Sequence, residues 1–138
     1  MEEEIIFYGH PNIRARHETT IELTKAKEVT LRGDCIVGVN ASKACTDLSD
    51  TFKRKLRQED SLVRMSLLVG EHAYSLTGYG SSSLILANNH DIVIRKSRFI
   101  CPRTMVIRCN KASDNIPKDI VCLLQDPAMK GMLRLFVE

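Results

Sequence analysis

From Ala15 the chain alternates. Ala15, His17, Thr19, Ile21 and Leu23 fall on one side, and Arg16, Glu18, Thr20, Glu22 and Thr24 on the other. Period two with one charged side predicts a half-buried strand whose first set, His17 included, points inward. Ahead of it, Ile5 to Tyr8 is a short apolar strand ending in the turn sequence Gly9-His10-Pro11-Asn12, where Pro11 holds His10 extended. Cys35 to Val39 is another short apolar strand, introduced by Gly33-Asp34. The period then changes. Ala44, Leu48, Phe52 and Leu56 recur every four residues, which predicts a helix over 42–58 with Ser49 capping its C-terminal part.

Leu62 to Tyr79 reads as a hairpin. Val63, Met65, Leu67 and Val69 alternate, Gly70-Glu71 supplies the tight turn, and His72 to Thr77 returns. After a Gly/Ser loop at 78–83, short strands are expected at 84–86, 92–96 and 104–109. Pro117 suits the first turn of a helix ending near Gln125, and Met132 to Val137 forms the last strand. No linker interrupts the chain, so residues 1–138 read as one domain.

The two helical segments match at an offset of 68: Leu48 falls on Ile116, Phe52 on Ile120 and Leu56 on Leu124. Val37 and Val39 fall on Met105 and Ile107. This match predicts an internal duplication, against chance likeness between amphipathic helices. The fold class that follows is α+β and β-rich: a closed barrel or sandwich of mostly antiparallel strands, with two short helices packed outside. The second helix carries Val121 and Leu123 where the first has Lys53 and Lys55, so it should be the more enclosed.

Composition narrows the class. At 138 residues, 43% hydrophobic and 27% charged, the chain can build a core without disulfides or metal. Its five cysteines (Cys35, Cys45, Cys101, Cys109, Cys122) form no CxxC pair, and they read as small buried thiols in a reducing compartment. The acidic Met-Glu-Glu-Glu start and its short apolar run do not make a signal peptide, and no stretch is long enough to span a membrane. The expected location is the cytoplasm. Net charge is +3, but no acid occurs between Ile92 and Ser113, and Lys53-Arg54-Lys55-Leu56-Arg57 is a second basic run. That asymmetry points to an anionic partner.

Three long strings carry a resemblance: GHPNIRARHETTIELT at 9–24, GDCIVGV at 33–39, and DIVIRKSRFICPRT with the following KAS at 91–113. Together they make most of the chain resemble an uncharacterised archaeal family, domain of unknown function 371. The resemblance implies an archaeal cytoplasmic source and a β-rich fold with two helices. It implies no activity.

The residues themselves suggest a small anionic, even phosphorylated, ligand. His17 and Arg103 share an inward phase near strand starts, and such groups must be paired or face a cavity. Pairing of Arg103 with Asp34 is the structural alternative for that arginine. His10, Asn12 and Asp34 sit in loops at strand ends and complete the candidate site. Whether such a site is catalytic is left open; no nucleophile or phosphate-loop motif is present, and Cys101 beside Pro102 is the one candidate thiolate. His10, His17 and Asp34 match no metal-ligand spacing, so no metal or cofactor is expected. A second reading is an RNA- or DNA-binding module using Arg95, Arg98, Arg108 and Lys111, although Phe99 is the only aromatic there. A third is an assembly protein whose apolar strands pair in a homo-oligomer.

Overall fold

In a computed structural model that describes residues 1–138, the strands assemble into two four-stranded sheets. One is built from β1 (Glu2–Tyr8), β4 (Leu62–Val69), β5 (His72–Tyr79) and β8 (Lys130–Val137), in the order β1-β8-β4-β5. The other comes from β2 (Thr20–Thr24), β3 (Ile36–Gly38), β6 (Asp91–Arg95) and β7 (Thr104–Val106), in the order β3-β2-β6-β7. Pairing is antiparallel except for β2 with β3 and β6 with β7. The sheets do not close into a barrel. Only single bridges, Tyr8 to Val39 and Tyr79 to Ile107, join one sheet to the other, so the hydrogen-bond ladder stops at both ends.

Alternation along each strand delivers one face of each sheet to a shared core. Ile5, Phe7, Val63, Met65, Leu133 and Leu135 come from the first sheet, and Ile21, Leu23, Ile92, Ile94 and Met105 from the second. Helix α1 (Asp50–Leu56) adds Phe52 and Leu56, and α2 (Lys118–Leu123) adds Ile120, with Leu124 just beyond its end. Burial of each such side chain contributes roughly 1.5–3 kcal/mol.

Several boundaries differ from those the pattern predicts. Residues 15–19 are not a strand; β2 begins at Thr20, and all five of its residues are buried instead of half of them. Residues 84–86 are also irregular, although Leu84 and Leu86 are buried. The first helix starts at Asp50, because Ser49 accepts a hydrogen bond from Phe52 N and ends the segment before it, where Cys45–Asp47 is a 3-10 turn. The second 3-10 turn is Ser113–Asn115, and Pro117 immediately precedes α2. Val121 and Leu123 are half-buried, as are Lys53 and Lys55, so α2 is no more enclosed than α1. Two of the five cysteines, Cys45 and Cys109, are buried; Cys35 and Cys101 are half-buried and Cys122 is exposed.

The elements of residues 2–69 and 72–137 follow the same order. β3, α1 and β4 correspond to β7, α2 and β8 at an offset of 68, whereas β2 corresponds to β6 at 71. The change falls in one loop, eleven residues long at 25–35 and eight at 96–103. Fine detail corresponds as well. Ala15 and Leu86 take positive φ of 50° and 52°, Asn40 and Arg108 take 52° and 50°, and the two inter-sheet bridges are counterparts. Away from glycine this backbone costs about 1 kcal/mol, so the surrounding contacts must hold it.

Candidate functional site

The five residues expected to form one pocket are spread over separate places. His10 is nearly buried; its Nε2 lies 2.9 Å from Glu28 Oε2, and its Nδ1 accepts from Asn12 N at 3.0 Å. Asn12 in turn donates to Val29 O at 2.9 Å, so both residues pin the 25–33 loop to the first turn. His17, expected to point inward, is exposed, because the chain around it follows no strand phase. Its Nδ1 accepts from Thr19 N, a local turn contact. Asp34 holds the same stretch through its backbone carbonyl, which accepts from Arg16 N and His17 N, while its Oδ1 is buried without a partner.

Arg103 lies elsewhere, on the face of the second sheet turned away from the core. It does not pair with Asp34. It donates to Glu22 Oε1 at 2.9 Å and lies 3.6 Å from Asp91 Oδ2. Glu22 shares its face of β2 with Thr20 and Thr24 and is 5% exposed. Burial pushes its carboxyl above the ordinary 4.5, opposed by the Arg103 charge and reinforced by Asp91. Arg95 extends this polar row, donating to Thr104 Oγ1 at 3.0 Å and to Cys101 Sγ at 3.4 Å, and stacks over Phe99. Burial alone would raise the Cys101 thiol, but hydrogen bonds from Thr104, the Arg103 backbone and Arg95 outweigh it and bring it to about 7. Burial raises Cys35 to about 11 and Cys45 to about 12.

The nucleic-acid candidates are not a free row of cations either. Arg95 is occupied as described, and Arg108 is paired with Asp60 and stacked over Tyr79, 4.2 Å from the ring centre. Arg98 is exposed and Lys111 half-buried.

Free positive charge gathers in a cavity of about 410 Å³ between the first loop and α2. Arg14 and Arg16 reach it from either side of the buried, left-handed Ala15, and Lys118 and Gln125 reach it from α2 and its exit. Ile116 and Val121 give it apolar wall. The loop is held from several sides: Gln125 Nε2 donates to Ile13 O at 3.0 Å, and Asp114 N to His17 O at 3.0 Å. None of the three cations has a carboxylate within ion-pair distance, and Asp114, the one acid in the lining, is unpaired too.

Sequence reasoning missed these four polar residues. It assigned Arg16 to the solvent side of a strand and gave Arg14, Lys118 and Gln125 no role. The available signal was Arg-Ala-Arg inside a Pro-Asn turn region, with no acid adjacent to either arginine.

A family model described as Domain of unknown function (DUF371) matches residues 5–138. An uncharacterised protein of the archaeon Methanocaldococcus jannaschii is 42% identical over 118 residues, covering 86% of this chain and 87% of its own. No helix is long and apolar enough to cross a membrane.

Proposed function

The chain belongs to the Domain of unknown function (DUF371) family, and from the geometry of its open cavity we propose that it binds a small anionic ligand there. One observation carries this reading: Arg14, Arg16 and Lys118 converge on one cavity with no carboxylate paired to any of them. Clustered cations repel one another, so a ligand that supplies negative charge gains both attraction and relief of that repulsion. Arg14 and Arg16 also offer planar donor forks suited to phosphate or carboxylate oxygens. Arg95 and Arg108 are engaged inside the protein, which favours the cavity over a nucleic-acid surface built on those residues.

The same reading takes the two sheets as the layers of a sandwich, and the matching halves as the product of duplication. The shared element order, the paired left-handed residues and the matching bridges support it. The free thiols support a reducing, cytoplasmic setting.

Titration calorimetry with inorganic phosphate at low ionic strength tests the binding proposal. Binding is expected, with affinity falling roughly tenfold in Arg16→Ala and in Lys118→Ala as one charge-assisted contact is lost. Absence of binding, or binding indifferent to both substitutions, would overturn it.

A further inference from the structure

The cavity has a counterpart in the other half of the molecule, and that counterpart is filled. There Arg57, which corresponds to Gln125, donates from Nε to Leu84 O at 3.0 Å and from Nη2 to Ile85 O at 2.8 Å. Gln125 makes the first of these contacts, to Ile13 O, the counterpart of Leu84 O. Its shorter side chain makes no second one. The carbonyl of Arg14 corresponds to that of Ile85, and no protein donor reaches it. One groove thus holds its own two-pronged donor, and the other has room where the second prong would be.

From this difference we infer that the ligand of the open cavity is a small anion that also carries a planar amide-like N–H group, donated to the Arg14 carbonyl. The inference rests on the anion reading of the same cavity and deepens it. A neutral donor fits better than a guanidinium. On a small ligand a guanidinium would cancel the negative charge that Arg14, Arg16 and Lys118 attract, whereas a neutral amide N–H leaves it whole.

Two stable phosphonates separate this claim from simple anion binding. Phosphonoacetamide and 2-oxopropylphosphonate have the same shape and charge, differing by an NH2 in place of a CH3. Against the wild-type protein the amide is expected to bind roughly fivefold tighter, the worth of one net hydrogen bond. In Gln125→Arg the new guanidinium reaches the Arg14 carbonyl as Arg57 reaches Ile85, so the preference disappears; a circular dichroism melt checks that the variant folds. A wild-type ratio below about twofold, or a preference retained in Gln125→Arg, overturns the inference while leaving anion binding intact. If neither phosphonate nor inorganic phosphate binds, the cavity reading itself fails and takes this inference with it.

Discussion

Cys101 and its neighbours show how local contacts set a residue's chemistry. Burial raises the thiols of Cys35, Cys45 and Cys109, yet that of Cys101 is lowered, because its sulfur lies in hydrogen-bond contact with Thr104 Oγ1 and accepts from Arg95 Nη2. Thiolate is the reactive form, so its reaction with iodoacetamide should rise with pH through about 7 and level off above it. Cys35 and Cys45, held up to about 11 and 12 by burial, should stay unlabelled over that range. Peptide mapping of alkylated protein reads this directly. In Thr104→Val the Cys101 midpoint should move upward, and an unmoved midpoint would show that the hydrogen bond does not set it. Beside this cluster, the buried Glu22 illustrates what pattern reading misses. Its place on β2 looked solvent-facing because it is charged, but Arg103, 81 positions away, supplies the partner that lets it be buried.

At the scale of elements, close packing between the sheets depends on glycine opposite an aromatic ring. A Cβ on Gly38 in β3, on the other sheet, would lie 2.3 Å from Phe7 Cδ2; within Phe7's own sheet, one on its cross-strand partner Gly131 in β8 would lie 2.5 Å from the same ring. Phe7 is fully buried and cannot swing away. Gly38→Ala should therefore cost about 1–3 kcal/mol as overpacking, seen as a lower urea midpoint with unchanged slope. A midpoint like that of the wild type would mean that the core relaxes around the methyl group. The elements themselves were legible where periodicity was long and local. Phe52 and Leu56, the Ser49 cap and the Gly70-Glu71 turn lie where the pattern put them, whereas Leu48 is buried but extended, ahead of the helix. The pattern failed at 15–19. Alternation there mimics a strand, but the backbone is held by the Asp34 carbonyl and a left-handed Ala15 instead of by a neighbouring strand. The offset of 71 between the earlier strands was hidden by the three-residue difference in the 25–35 loop.

On the scale of the whole molecule, the candidate site joins Arg14 and Arg16 to Lys118 and Gln125, about a hundred positions apart in the sequence. No periodicity links such residues, which is why the expected site gathered His17 and Arg103 by strand phase and missed the cavity. The fold makes the junction by packing the first loop of one half against the helix of the other: His10 N donates to Leu124 O, and its counterpart Ser81 N to Leu56 O. Two grooves result. Arg57 fills one, and Gln125 leaves the other open. The central claim is that this open groove receives an anion. The most direct test is a phosphate titration followed by 1H–15N correlation NMR, which reports each backbone amide. Shifts concentrated at Arg14 to His17 and Asp114 to Gln125, saturating together and absent in Arg16→Glu, are the predicted result. Saturable shifts centred on Arg95 to Lys111 instead, or none at any phosphate concentration at low salt, would contradict the account.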